Sequence, residues 1–263
     1  MGSVYVIVLM IVAVYGDGKE AQETTTAGLT TNPNNEIHSV DNGLTDTELL
    51  MSFVVIRHGD RTPDQEELDK FPGDNNNDNI FFPYGKKALT NLLYYYNCPR
   101  YLHLRAKVYR SPEVQKWLKP YESLFNFLSL KTGTNISTPE DVFYLDNLFQ
   151  ALANVGVKPP AWAQEVMPKI KEMTKIEYAC EFYDSELIRL ATGILLTDIL
   201  NATNAARMGD REQPNLHLYS AHENNVAALM AGIGVFEPHQ PKYGSAILLE
   251  FRKHLSTGQY GFT

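Results

Sequence analysis

A short apolar run that ends in a group of cations constrains the fold of this chain more than any other feature. Residues 49–56 read LLMSFVVI, a nearly continuous apolar run with β-branched residues toward its end, which is typical of a strand covered on both faces. Arg57, His58 and Arg61 follow within the next five positions. Like charges this close repel one another, so the arrangement is favourable where an anion lies among them. The run therefore predicts a buried strand with an anion site at its carboxyl end, which is where open α/β sheets bind ligands.

A second strand and polar loop follow much later in the chain. Residues 216–221 (LHLYSA) predict a short strand, and His222 and Glu223 begin the loop after it. Within the strand, His217 alternates with two leucines, which is typical of a side chain on the face of a sheet. If the two strands are parallel neighbours, His58 and His222 face one crevice.

Helical periodicity fills most of the sequence between and after these strands. We interpret the periodic apolar residues as stripes that face the core. The segments that predict helices are 84–93, 112–130, 139–173, 184–208 and 226–233. A last strand is predicted at 243–252. Strands that alternate with helices predict an α/β fold with an open, mainly parallel sheet flanked by helices, and with a helical insert at about 112–208.

Length, composition and the first 46 residues predict where the folded domain begins and in which cellular compartment the protein acts. With 263 residues and 44% hydrophobic content, the chain can bury a full core, and we place the folded domain at 47–263. Residues 17–46 are polar and lack apolar periodicity, which predicts a disordered leader. Residues 1–16 contain an apolar stretch too short to cross a bilayer, which predicts a signal peptide; an uncleaved anchor is the alternative. We therefore expect a secreted or lysosomal protein without a stable membrane anchor.

Charge, glycosylation triplets and cysteines bear on partners and compartment. The formal net charge is -8 at pH 7, whereas nonspecific binding to nucleic acid or anionic lipid requires a basic face, so no nucleic-acid partner is expected. Glycosylation triplets at Asn135 and Asn201 agree with secretion. The chain has two cysteines, Cys98 and Cys180, and whether they form a disulfide stays open at this point.

The polar residues that follow the two strands suit phosphoryl transfer. Guanidinium groups bind phosphate oxygens in pairs, and an imidazole can attack phosphorus to form a phosphohistidine. Glu223 would give a proton to the leaving group, a role open to a partly buried carboxyl in an acidic medium. A metal site formed by His58, Asp60 and His222 is an alternative, but no close spacing of ligand residues supports it. We therefore expect neither a metal ion nor another cofactor.

The same residues resemble those of a known family. The block RHGDRTP at 57–63, followed much later by Ser-Ala-His-acid at 220–223, is similar to the histidine acid phosphatase family of the histidine phosphatase superfamily (branch 2), which has lysosomal, prostatic and insect venom members. The similarity covers most of residues 51–252. It implies a phosphoglycerate-mutase-like fold and hydrolysis of phosphate monoesters through a phosphohistidine intermediate.

The resemblance also implies roles for individual residues. His58 would be the nucleophile. Glu223 occupies the proton donor's place, where most of the family has aspartate. The phosphate ligands that the resemblance implies are Arg57, Arg61 and His222.

Two departures from the family pattern concern segments that family members carry. Family members carry a further strand and helix with an Arg-Ser-Thr-like segment, whose arginine also binds phosphate, before the Asn-Cys-Pro-Arg block that stands here at 97–100. In this chain the block follows Leu-Thr at 89–90 almost at once, so we expect one sheet strand and one phosphate ligand to be missing. Arg110, in a similar Tyr-Arg-Ser segment, is an alternative ligand. The family also usually continues beyond the point where this sequence ends.

We therefore predict a secreted or lysosomal acid phosphatase whose activity is reduced by the missing arginine. One alternative is a catalytically inactive, phosphatase-like protein that binds phosphorylated ligands or acts as a venom or salivary antigen. The other is a phytase with the same chemistry, which the acidic charge balance disfavours because phytate calls for a more basic pocket. Beyond the phosphate monoester substrate, partners stay open, a homodimer among them.

Overall fold

An open sheet forms where the apolar runs predict strands. The computed structural model describes residues 46–59, 67, 69–70, 95–210 and 212–263. The strands are β1 Thr47–Arg57, β2 Leu216–Ala221, β3 Ala246–His254 and β4 Tyr260–Phe262. The three predicted strands are confirmed, and β4 is a short strand that the sequence did not indicate. The signal peptide, residues 17–45 of the leader and the helix expected at 84–93 lie outside the described residues.

The sheet has the strand order β2-β1-β3-β4. β1 and β2 are parallel, whereas β1 with β3 and β3 with β4 are antiparallel. The α/β class and the open sheet are confirmed, but within the described part of the chain the sheet is mixed rather than mainly parallel. Only five residues, 255–259, join β3 to β4, which allows a hairpin but no crossover helix. The alternation of side chains does not distinguish the two strand directions, because it is the same in parallel and antiparallel strands.

One face of the sheet carries most of its buried residues. The buried residues of β1 alternate along the strand and are Met51, Phe53, Val55 and Arg57. The residues between them are only partly covered. Leu218 of β2 and Leu248 of β3, which both pair with Val54, are exposed. β1 is thus covered mainly on one face, not equally on both as its apolar sequence predicts.

The described chain forms two compact units. The first contains the sheet and consists of the described parts of Met1–His58, Leu196–His222 and Gly244–Thr263. The second contains most of the helices and consists of the described parts of Gly59–Leu195 and Glu223–Tyr243. One long helix contributes to both units, because it spans Ser185–Arg207.

Seven α-helices form within the described residues. They are α1 Pro99–Tyr109, α2 Pro112–Leu118, α3 Glu122–Thr132, α4 Pro139–Asn154, α5 Ala161–Glu181, α6 Ser185–Arg207 and α7 Glu223–Gly232. α6 agrees closely with its prediction, and α7 begins earlier than predicted, at Glu223. None of these helices is both long and apolar enough to cross a membrane.

Two predicted helical segments are interrupted. The segment 112–130 is divided by a 3-10 turn at Lys119–Tyr121, where Pro120 has no N–H for a helical hydrogen bond. The segment 139–173 is divided by residues 155–160, which separate α4 from α5. α4 begins with a capping box: Thr138 Oγ1 accepts from Asp141 N–H at 3.2 Å, and Asp141 Oδ2 accepts from Thr138 N–H at 3.0 Å.

The second unit buries a cluster of charged and phenolic side chains. Arg105 of α1 donates to Glu177 of α5, which is fully buried. Near the end of α5, Glu181 accepts hydrogen bonds from the hydroxyls of Tyr95 (3.0 Å) and Tyr96. Burial raises the pKa of the Glu181 carboxyl to about 7, against the opposing attraction of Arg105. The core of this unit is therefore not purely apolar, and its charge depends on whether the Glu181 carboxyl is protonated.

The two cysteines are free thiols. Cys180 is buried in α5, and burial raises the pKa of its thiol to about 12. Cys98 is partly exposed and precedes α1. The question that the sequence leaves open is thus answered in favour of unpaired cysteines.

Candidate active site

Backbone hydrogen bonds on both sides hold the end of β1. Arg57, the last residue of the strand, donates its N–H to the carbonyl oxygen of Ser245 (2.8 Å) just before β3. His58 donates its N–H to the carbonyl oxygen of Ala221 (3.1 Å), and the His58 carbonyl accepts from the N–H of Gly244 (3.3 Å). Gly244 has a φ of 73°, a left-handed conformation that glycine adopts without strain. The backbone of His58 therefore leaves the strand in a fixed direction.

His222 lies at the equivalent position at the end of β2. Arg57 and Ala221 are paired in the parallel register, so the residues that follow them, His58 and His222, emerge side by side. The centroids of the two imidazole rings are 5.1 Å apart, and the ring planes meet at 82°. The parallel pairing thus brings together two histidines that are remote in the sequence, as the strand–loop pattern predicts.

Arg57 is the cation of this strand end that the structure describes. Its side chain is completely buried, at 0% exposure. A guanidinium stays protonated, and away from water it attracts an anion more strongly than at the surface. Arg61 lies outside the described residues, as does Asp60, which the alternative metal site would need.

Glu223 belongs to the second unit, where it is the first residue of α7. Its side chain is buried, at 6% exposure. Oε1 of its carboxyl accepts a hydrogen bond from Nδ2 of Asn147 in α4 at 3.3 Å. The first turn of a helix is a favourable place for a carboxylate, because the unpaired N–H groups there carry partial positive charge. As the residue directly after His222, Glu223 is tied to the end of β2 through the peptide bond.

Sequence reasoning missed the polar side chains that hold Glu223. Asn147 accepts from Gln240 (2.6 Å), and Gln240 in turn accepts from Gln150 (2.6 Å). Asn147 is buried in α4 beside Leu145 and Leu148, which are also buried. A polar residue within an apolar helical stripe is the signal that could have marked it, but only packing reveals which partner it has.

Two other residues weighed from the sequence lie in structural positions. Arg110 is exposed at the C-terminal cap of α1, and Ser111 caps α2 by accepting the N–H of Val114 at 3.3 Å. Arg110 thus lies in a turn between two helices and not at the end of a strand. His217 stacks on Phe53 across the parallel pair, with ring centroids 4.8 Å apart, as expected for a residue on a sheet face.

The residues at the strand ends are chemically suited to a tetrahedral oxyanion. Imidazolium and guanidinium groups form charge-assisted hydrogen bonds with phosphate oxygens. An imidazole held with a fixed backbone can also act as a nucleophile, because its geometry is set before substrate arrives. Among the described residues, the pair His58 and His222 is therefore the strongest candidate for a reactive centre.

Curated relatives of this chain include several acid phosphatases. It is 27% identical to venom acid phosphatase Acph-1 of Apis mellifera over 55% of its length, and 30% identical to prostatic acid phosphatase of Bos taurus over 62%. It is 28% identical to lysosomal acid phosphatase of Xenopus laevis over 59%. These matches cover 38%, 43% and 37% of the relatives, so the chain spans about two fifths of their length. The crystal structure of a phytase from Klebsiella sp. ASR1 aligns over 82% of this chain and 81% of its own, with a TM-score of 0.47 and 12% identity.

A family comparison covers most of the folded chain. Residues 65–260 match the histidine phosphatase superfamily (branch 2). The matched range includes His222 and Glu223 and begins shortly after His58. This chain therefore belongs to the histidine phosphatase superfamily, branch 2.

Proposed function

We propose that this protein is an acid phosphatase that hydrolyses phosphate monoesters through a phosphohistidine on His58. The observation that carries the proposal is the contact of His58 with His222 at the ends of two parallel strands, directly after the buried Arg57. Family membership and the names of the curated relatives support the same reaction.

In the first step, a ring nitrogen of His58 attacks the phosphorus of the bound ester. The bond from phosphorus to the ester oxygen breaks, and the leaving oxygen takes a proton from the carboxyl group of Glu223. The products of this step are the free alcohol, phospho-His58 and ionised Glu223.

In the second step, water attacks the phosphorus of phospho-His58. Glu223 takes one proton of that water, the bond from nitrogen to phosphorus breaks, and inorganic phosphate leaves. Both His58 and Glu223 return to their starting states, so the cycle is balanced with water as the only second reactant. His58 supplies the nucleophile and Glu223 the acid–base group of the two steps.

Arg57, Arg61 and His222 are the proposed phosphate ligands. Each charge-assisted hydrogen bond from such a group contributes about 1.5–3 kcal/mol. The arginine segment that we expect this chain to lack could be worth roughly 10³ to 10⁵ in rate, as in other phosphoryl transfers. We therefore expect turnover well below that of a protein with the full ligand set.

We also propose that the protein acts in the secretory pathway, either outside the cell or in lysosomes. The apolar segment within residues 1–16 and the names of the venom and lysosomal relatives support this compartment. Asn135 and Asn201 are both exposed, as glycosylation of their triplets requires.

The test is hydrolysis of p-nitrophenyl phosphate near pH 5 by protein collected from the medium of animal cells that express the full sequence. We expect turnover by the unaltered protein, loss of at least about 10³-fold in His58→Ala, and little change in His103→Ala, which alters an exposed histidine of α1. Rapid quenching in alkali should trap the acid-labile phosphohistidine. Turnover no higher than that of His58→Ala would contradict the enzyme and favour the inactive phosphate-binding alternative, and protein found only in the cytosol would contradict the proposed compartment.

A further inference from the structure

A hydrogen-bonded relay of three side-chain amides, those of Gln150, Gln240 and Asn147, ends on Glu223. Gln150 Nε2 donates to Gln240 Oε1 at 2.6 Å, and Gln240 Nε2 donates to Asn147 Oδ1 at 2.6 Å. Asn147 Nδ2 then donates to Glu223 Oε1 at 3.3 Å. All four residues belong to the second unit. Asn147 and Glu223, the last two residues in this order, are buried at 3% and 6% exposure.

The hydrogen bonds of the relay all run in one direction. An amide oxygen only accepts and an amide nitrogen only donates. The Gln240 oxygen accepts from Gln150, so the Gln240 nitrogen faces Asn147. The Asn147 oxygen accepts from Gln240, so the Asn147 nitrogen faces Glu223. Every donor therefore points toward the carboxyl group. The orientation of Asn147 is set by residues that are remote from Glu223.

We propose that Asn147, oriented by Gln240 and Gln150, is a positioning residue for the catalytic acid. It fixes the rotamer of Glu223 and directs the acidic proton to Oε2, because a proton on Oε1 would face the N–H donor of Asn147. This inference rests on the proposed function, in which Glu223 protonates the leaving oxygen. Gln240 lies in the loop after α7, and Gln150 lies one helical turn after Asn147 on α4. None of the three amides therefore belongs to α7, the helix that begins with Glu223.

The relay predicts an effect that depends on the leaving group. An alkoxide is a poor leaving group and needs a proton from Glu223 during bond cleavage, whereas p-nitrophenolate leaves readily without one. A misplaced proton should thus slow hydrolysis of glycerol phosphate far more than hydrolysis of p-nitrophenyl phosphate. A general loss of folding or of phosphate binding would slow both.

The test uses Gln240→Glu, which has the same shape as glutamine but cannot donate to Asn147. The Asn147 amide should turn over and present its oxygen to Glu223. We expect kcat for glycerol phosphate to fall by about tenfold, kcat for p-nitrophenyl phosphate to change by less than about twofold, and KM to stay similar for both. Gln164→Glu is the matched control, because it adds the same charge at an exposed position of α5 and should change neither rate.

A double mutant separates the relay from a direct effect of charge. In the relay, Gln240→Glu acts through Asn147, so it should cause no further loss in the Asn147→Leu background. Equal losses on the two esters, or an undiminished effect of Gln240→Glu in that background, would overturn the proposal.

A second measurement tests the relay without turnover. The side-chain amide NMR signal of Asn147, assigned by its loss in Asn147→Leu, should be protected from exchange and should change in Gln240→Glu but not in Gln164→Glu. An Asn147 signal that is identical in both variants would overturn the relay. Absence of turnover on both esters in the unaltered protein would instead contradict the proposed function.

Discussion

The candidate nucleophile is anchored through its backbone. The N–H of His58 is bound to β2 and its carbonyl to the N–H of Gly244, in the turn before β3. Hydrogen bonds to Ala221 and Gly244 thus fix the backbone position from which the His58 side chain extends. Fixed placement of the reacting group accounts for much of the rate that enzymes gain from proximity.

At the residue scale, the first prediction concerns Gly244. A Cβ at this position meets no atom within 4 Å, but the φ of 73° is strained for any residue with a side chain. Gly244→Ala should therefore lower the free energy of unfolding by about 1–2 kcal/mol, measured by urea denaturation.

The control for this prediction is Gly193→Ala, in the interior of α6. A Cβ there makes only an ordinary contact, at 3.6 Å from Arg189 Cγ. Alanine favours a helix over glycine, so stability should rise by about 0.5–1 kcal/mol. Effects of the same sign in both variants would contradict the role of the left-handed turn.

At the element scale, the sheet holds its buried aromatic rings in register. Phe53 stacks on His217 of β2 and lies 6.3 Å, centroid to centroid, from Phe262 of β4. Phe251 of β3 lies 5.4 Å from the same Phe262 ring. The short β4 is thus joined to the sheet by side chains as well as by its hydrogen bonds to β3. These ring contacts add side-chain packing to the backbone hydrogen bonds of the sheet.

The second prediction compares the two faces of this sheet. Phe53→Ala removes a side chain that is 0% exposed and should cost about 3–5 kcal/mol. Leu218→Ala truncates a side chain that is 66% exposed and should cost less than about 1 kcal/mol. Both values are measurable by denaturant unfolding. A cost for Leu218→Ala close to that for Phe53→Ala would mean that the second face is covered in solution.

At the scale of the whole molecule, the buried ionic cluster links stability to pH. Burial raises the pKa of Glu181 to about 7 from its ordinary value of 4.5, and burial also raises the pKa of Glu177. Arg105 offsets part of this effect through its attraction for both carboxylates. Because the folded state holds these protons more tightly than the unfolded state, the stabilisation is complete below pH 4.5 and is lost as the pH rises through about 7. This cluster therefore stabilises the fold more at acidic than at neutral pH.

The third prediction is that the free energy of unfolding falls by up to about 3 kcal/mol between pH 4.5 and pH 8. Glu181→Gln, which cannot ionise, should reduce this pH dependence. Glu186→Gln is the control, since Glu186 pairs with Arg100 at the surface, and it should leave the dependence unchanged. Urea unfolding at a series of pH values measures all three proteins. A dependence in Glu181→Gln as steep as in the unaltered protein would contradict the assignment.

The sequence by itself determined the local features of this protein. The apolar runs placed β1, β2 and β3, and helical periodicity placed α6 to within a residue or so of each end. The same patterns predicted that His58 and His222 lie just after the ends of two strands. These features depend on interactions between residues that are close in the chain, and such interactions leave periodic patterns in the sequence.

Only the tertiary structure decided the direction of β3 and the partners of the buried polar groups. The antiparallel pairing of β3, the amide chain that ends on Glu223 and the contact of Arg105 with Glu177 all join segments that are distant in the sequence. A buried polar residue needs a partner, but the residue type does not say which one, because the choice is made when helices and strands pack.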